Sequence, residues 1–236
     1  MVVEGLIKSA LNSYTANSHC GITLGKETQQ RKRGLLVAFE GIDASGKTTQ
    51  AEMLQRWVGN ASSVFTREPS AGRIGKFTKK EVRKNDDKFS DTAIQMLFIA
   101  DRVDHLDRTI RPMMEKGMTV ITDRYMYSTM TYGAAHGIDM ESLIRIHASL
   151  RVPEADAIFY LKISPETAMA RAHQRLLTLD ERFENIKSQA EISRAYDRLI
   201  AMNPERWIII DAEKPMDHVQ RQILEEWKRL SERFKA

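Results

Sequence analysis

The chain has 236 residues and a single cysteine, Cys20. That excludes an intramolecular disulfide framework and any zinc site built from several cysteines, and the composition fits a reducing, intracellular compartment. No apolar run approaches the ~18 residues of a membrane-spanning helix, so no membrane partner is expected. A secretory signal is not expected, because the first residues lack a long apolar stretch. There is no internal repeat. Excess positive charge is nearly absent from most of the chain. Residues 1–33 carry Lys8, Lys26, Arg31, Lys32 and Arg33 against Glu4 and Glu27, leaving a net +1 of the total +4 for everything else. A remainder so close to neutral gives no electrostatic footprint for nucleic acid.

Hydrophobic residues make up 42% of the chain and charged residues 29%, the profile of one globular domain with a sizeable core. Residues 1–33 differ from the rest. They are rich in Ser, Thr, Asn and Gln, end in a basic cluster at Arg31–Arg33, and hold one short amphipathic stretch, Val2–Leu11. They read as a flexible polar extension of a cytoplasmic protein, with an organelle transit peptide as the alternative. The domain proper runs over 34–236.

Strands and helices alternate from Gly34 onward. The apolar runs Leu35–Phe39, Ser63–Thr66, Thr119–Thr122, Ala157–Ile163 and Trp207–Ile210 have strand length. Helical patterns cover Lys47–Trp57, the stretch that Ser90 caps, one that Ser164-Pro165 starts, and Met216–Phe234. Pro112 is expected to end or kink the second of these. Five strands separated by helices predict an α/β domain: a five-stranded parallel sheet covered on both faces.

The strongest chemical signal is Gly41-Ile42-Asp43-Ala44-Ser45-Gly46-Lys47-Thr48-Thr49, which matches G-x-x-x-x-G-K-[ST] between a predicted strand and a predicted helix. Glycines let the backbone fold into a cradle of N–H groups, and the helix start adds positive potential where phosphates sit. Lys47 would reach the β- and γ-phosphates and the Thr48 hydroxyl would bind Mg²⁺. A tight structural turn is the plain alternative, and the Lys-Thr pair argues against it. Four weaker signals follow. Asp123 ends an apolar strand, where P-loop proteins hold magnesium, and Arg124 beside it suits a second phosphate. Phe98 and Arg102 share a helical face, so a ring can stack on a base while a guanidinium bonds its edge; a core Phe and a solvated Arg fit the spacing equally. Thr66-Arg67-Glu68-Pro69 follows the second strand at the ligand-binding end of the sheet. Arg171, Arg175 and Arg182 flank the polar stretch Thr178–Glu184, a candidate lid over 171–184.

Taken together, these motifs resemble the thymidylate kinases, over roughly residues 34–234. The resemblance implies the P-loop fold of nucleoside monophosphate kinases and transfer of the γ-phosphoryl of ATP to dTMP, with Mg²⁺, in dTTP biosynthesis. It also implies a set of roles. Phe98 would stack on thymine, Arg102 would bond its carbonyl edge, and Arg124 would hold the dTMP phosphate. Asp43 would contact the 3′-hydroxyl, Thr129 the base, and Tyr132 would crowd the sugar 2′ position; Arg67, Glu68 and Ser128 belong to the same acceptor side. The P-loop lacks the arginine that some members carry, which makes the chain resemble the lid-arginine subgroup and makes Arg171 and Arg175 catalytic candidates beside Lys47 and Asp43. Ser70-Ala71-Gly72-Arg73 replaces the usual glycine pair, so Arg73, Lys79 and Arg83 all stay open as further phosphate contacts. Gly133 stands where the family often has Gln. Members are commonly homodimers, and Met96, Ile99 and Val103 form an apolar face that serves either a dimer or the core. The competing readings are a kinase for another nucleoside monophosphate and a non-enzymatic P-loop nucleotide-binding module. The Asn-Lys-x-Asp motif of guanine-specific switches is absent.

Overall fold

A computed structural model describes residues 33–84, 89–174 and 186–235. Five parallel strands form its sheet: β1 (Leu36–Glu40), β2 (Ser63–Arg67), β3 (Thr119–Asp123), β4 (Ala157–Lys162) and β5 (Trp207–Asp211), in the spatial order β2-β3-β1-β4-β5. The central strands are continuous apolar runs because helices cover both faces. All of β1 is buried, and Phe39 stacks on Phe159 of β4 at 5.1 Å between centroids. The strand limits match the sequence reading to within about a residue.

The helices are α1 (Lys47–Val58), α2 (Arg73–Lys84), α3 (Asp91–His105), α4 (Arg111–Glu115), α5 (Met126–Ala135), α6 (Met140–Ser149), α7 (Pro165–Gln174), α8 (Ile186–Met202) and α9 (Met216–Lys235). Ser90 caps α3 as expected, its hydroxyl accepting from the Ala93 amide at 3.2 Å. Pro112 does not stop the helical path. A π-helical turn, Leu106–Ile110, joins α3 to α4, and Pro112 then falls in the first turn of α4, where its missing amide is harmless. Helix α5 has no amphipathic stripe for a sequence reading to find: Met126 through Gly133 are all buried.

Arg33 already belongs to this folded unit, because its guanidinium clamps Asp156 at 2.7 and 3.1 Å. Residues 1–32, the body of the polar extension, lie outside the described residues. So do Arg175, Arg182 and the Thr178–Glu184 stretch of the expected lid.

Register sets the position of the site. Phe39 of β1 and Arg67 of β2 both align with Asp123 of β3, so three strands deliver their next residues to one level. The chain visits β2 and β3 on one side of β1, then crosses to β4 on the other. The crevice at the carboxyl ends of these strands is therefore a topological switch point, where open α/β sheets bind ligands.

Candidate active site

The turn after β1 is a phosphate cradle built from unusual backbone. Gly41, Ala44 and Gly46 have φ of 147°, 57° and 97°, so the loop winds back on itself before α1 begins. A Cβ on Gly41 would lie 2.8 Å from the Leu161 carbonyl oxygen and 2.9 Å from Ser45 Oγ, which leaves room there for glycine alone. Gly46 occupies the cap position of α1 in the left-handed conformation, and the first-turn amides of that helix open toward the loop. Lys47 is buried, and its Nζ donates to the Ile42 carbonyl at 2.7 Å, across the mouth of the loop. Burial, together with the nearby Arg124 cation, lowers its pKa from 10.5 to about 8, against the pull of Asp43, Asp123 and Glu40.

Beside the cradle, the Thr48 hydroxyl donates to Asp123 Oδ2 in a short hydrogen bond. The other carboxylate oxygen, Oδ1, is buried and has no hydrogen-bond partner among the described residues. A buried acceptor left open is rare and needs a reason. A hydroxyl and a carboxylate side by side are hard oxygen donors of the kind magnesium takes when phosphates complete its shell.

Arg124 follows Asp123 with a φ of 70°, which turns its side chain back over the loop. Its guanidinium forms a short ion pair with Asp43 and donates to Ser128 Oγ at 3.0 Å and to the Tyr132 hydroxyl at 2.9 Å. It also lies 4.8 Å above the Tyr132 ring. Gln189 of α8 grips Asp43 from the far side, accepting from the Asp43 amide and donating to its carboxylate. Burial opposes ionisation of Asp43, but Arg124 and Lys47 outweigh it and hold its pKa below the ordinary value. Beneath this layer sits Glu40, fully buried. It accepts from the Tyr125 amide at 2.8 Å and from the hydroxyls of Ser128 and Tyr196 at 2.7 Å each. Burial nevertheless raises its pKa.

A second cluster lies where α3 crosses the end of β2. Arg102 is 2% exposed, not solvated. Its Nε and Nη2 meet Glu68 Oε2 at 2.7 and 2.6 Å, while Nη1 donates to Thr129 Oγ1 at 3.0 Å and stands 2.8 Å from His147 Nε2. His105 completes the cluster between Glu68 Oε1 and the Thr66 hydroxyl. Phe98, one turn earlier on α3, is half-buried against the core.

A phosphate cradle thus stands next to a second cation site and a buried arginine on the neighbouring helix. The family model described as thymidylate kinase matches residues 39–223. The chain belongs to the thymidylate kinase family. A probable thymidylate kinase of Thermococcus kodakarensis is 34% identical over 200 residues, covering 80% of this chain and 95% of the relative. Another from Methanosarcina barkeri is 32% identical over 203 residues, 81% and 95%. A thymidylate kinase of Dinoroseobacter shibae is 32% identical over 197 residues, with the same coverage. The family's reaction, ATP-dependent phosphorylation of dTMP to dTDP, is accordingly the reaction of this enzyme.

Within this thymidylate kinase, Asp43, Lys47, Thr48, Asp123, Arg124, Ser128 and Tyr132 converge on the loop, and Glu68, Arg102 and Thr129 form the second cluster. Arg67 stays outside both. It is exposed, lies over the Phe65 ring at 5.7 Å and faces Glu52 of α1 at 3.9 Å. Arg171 donates to the Glu213 carbonyl at 3.4 Å. Arg73 and Lys79 are exposed on α2, and the side chain of Arg83 lies outside the described residues. Glu40, Gln189 and Tyr196 escape a reading by motif because they act through the side chains of other residues. His147 escapes it because it reads as one more polar residue on an amphipathic helix.

Proposed function

We propose that the two clusters divide the reaction between them. The cradle with Lys47 holds the ATP phosphates, Arg124 holds the phosphate of dTMP, and Arg102 with Phe98 reads the thymine. The observation that carries this reading is Arg124 itself. A half-buried guanidinium is aimed back over the phosphate loop by a left-handed backbone and fixed there by Asp43, Ser128 and Tyr132. A cation so placed faces the loop that holds the donor, where an acceptor phosphate has to lie for in-line transfer.

Positioning and charge neutralisation supply the rate, and no strong general base is required. Lys47 neutralises the β- and γ-phosphates, and the P-loop amides of 41–49 hold the rest of the chain of phosphates. Thr48 and Asp123 would hold Mg²⁺, and the open Oδ1 of Asp123 supports that assignment. When bound, the ion supplies further neutralisation of the β- and γ-oxygens. Asp43 sets the direction of Arg124 and accepts from the 3′-hydroxyl of the acceptor. Tyr132, buried and bonded to Arg124, fills the space next to the sugar. The remaining positive charge comes from the arginines of the lid region 171–184, with Arg175 the first candidate.

The same reading makes the protein a cytoplasmic homodimer. Among the described residues, no helix is long and apolar enough to cross a membrane. For the dimer, the apolar stripe of α3 reduces to Met96 and Val103, which are half-buried; Ile99 is core.

Arg124→Ala tests the division of labour. It removes a charge-assisted bond to the acceptor phosphate, about 1.5–3 kcal/mol, so the KM for dTMP should rise roughly ten- to over a hundredfold while the KM for ATP stays near its original value. An equal rise for both substrates would remove Arg124 from the acceptor side.

A further inference from the structure

Arg102 is the group that faces the base in the reading above, and its geometry shows what aims it. A guanidinium only donates. His147 Nε2, 2.8 Å from Arg102 Nη1, therefore has to be an unprotonated acceptor. The other ring nitrogen agrees: Nδ1 lies 2.7 Å from the Leu143 carbonyl oxygen, an acceptor, so it carries the proton. His147 is thus neutral and locked in one tautomer by its own helix. Both Nη1 hydrogens of Arg102 are taken, one by Thr129 Oγ1 and one by His147, and Glu68 holds the Nε edge. Nη2 shares the Glu68 carboxylate with Nε at 2.6 Å, so its second hydrogen is the donor left to meet a ligand.

His147 reaches this position because α6 packs unusually close to α5. A Cβ on Gly133 would lie 2.5 Å from Leu143 Cδ1, so the absence of a side chain at 133 makes room for the turn of α6 that carries both Leu143 and His147. We infer that His147 is a positioning residue for base recognition: it sets the rotation of the Arg102 guanidinium and so the preference for a base that presents a carbonyl acceptor, as thymine does at C4, over one that presents an amino donor, as cytosine does. This inference rests on Arg102 facing the base.

The ring is tested first without substrate. Long-range ¹H–¹⁵N spectra of the full chain, assigned with His147→Gln, should show the Nδ1-protonated tautomer; a proton on Nε2 would overturn the inference at once. Kinetics follow with His147→Phe, which keeps a ring and removes the acceptor, and with His147→Gln, whose Oε1 replaces Nε2. Loss of one hydrogen bond in the acceptor's support should raise the KM for dTMP by about tenfold in His147→Phe and narrow the dTMP-over-dCMP ratio of kcat/KM by a similar factor, with the KM for ATP within about twofold. His147→Gln should restore most of both. In an Arg102→Met background, His147→Phe should have no further effect on either. Unchanged dTMP kinetics in His147→Phe, equal losses for ATP, or a full effect in the Arg102→Met background would each overturn the positioning role. If Arg102→Met itself left the KM for dTMP unchanged, the base-facing reading of Arg102 would fail instead, and the tautomer measurement would still stand.

Discussion

Replacing Arg102 with methionine should do two things that have different sizes and different cures. The guanidinium neutralises Glu68, whose side chain is 3% exposed and whose Oε2 lies 2.6 Å from Nη2. Arg102→Met keeps most of the side-chain volume but strands that carboxylate in the core with only His105 beside it. Breaking a buried ion pair in this way costs about 3–5 kcal/mol, because the remaining charge has lost its compensation. For a domain of this size, that corresponds to a fall in Tm of roughly 6–20 °C. The second substitution should then be stabilising. Adding Glu68→Gln removes the stranded charge, and the double variant should regain at least about 1 kcal/mol over Arg102→Met. Denaturant titrations with matched m-values give both differences, and thermal melts check them. Binding responds separately: at a temperature where all variants are folded, the KM for dTMP should stay raised in the double variant, since the donor to the base is still missing. An Arg102→Met protein that melts with the native one, or a Glu68→Gln addition that destabilises it further, would refute the reasoning.

Lys47 should give kcat/KM for ATP an alkaline limb near pH 8: its pKa in the free enzyme lies at about 8, and only the protonated form neutralises phosphate. Raising the pH through that value should lower kcat/KM, while kcat, which reports the phosphate-bound complex, should hold to higher pH; a flat profile to pH 9.5 would contradict the buried-lysine geometry. Arg175→Ala should lower kcat by roughly tenfold with little change in the KM for dTMP, as expected for a charge that acts mainly in the transition state, and normal kcat there and in Arg171→Ala would move the role to Arg182 or Arg73. Deleting residues 1–32 should leave turnover within about twofold, because Arg33 is the first residue with a structural partner in the described unit and no catalytic motif lies upstream. Purified, folded but inactive truncated protein would assign the extension a part in the site.

The sheet, its strands and the phosphate loop are legible in the sequence because their causes are local: continuous apolar runs, a glycine-bounded turn and a lysine at a helix start. Asp123 and Arg124 are legible for the same reason, as the two residues at the end of an apolar strand. Arg102 is legible by position but not by environment. Nothing in Phe98-x3-Arg102 says that the arginine is buried, because that depends on Glu68 arriving from the end of β2. Pro112 does not end the helix, since a π-helical turn carries the path past its missing amide. Helix α5 is invisible to periodicity because it is buried all round. His147 and Glu40 are the instructive cases. Each is polar, each sits under an arginine of the proposed site, and each is placed there by packing between distant segments: α6 against Gly133, and Tyr196 of α8 against the end of β1.

In the proposed site, the γ-phosphoryl of ATP passes to dTMP at the face between Lys47 and Arg124. The most direct measurement is ADP release by the full chain with ATP, Mg²⁺ and one monophosphate at a time: dTMP, dUMP, dCMP, CMP, UMP and AMP, with the products resolved by chromatography. dTDP should form from dTMP at a kcat/KM well above that of every cytosine, adenine or ribose acceptor, and its formation should be lost in Lys47→Ala. Faster turnover of CMP, UMP or AMP than of dTMP, or no transfer to any acceptor by protein that still binds ATP, would contradict this reading.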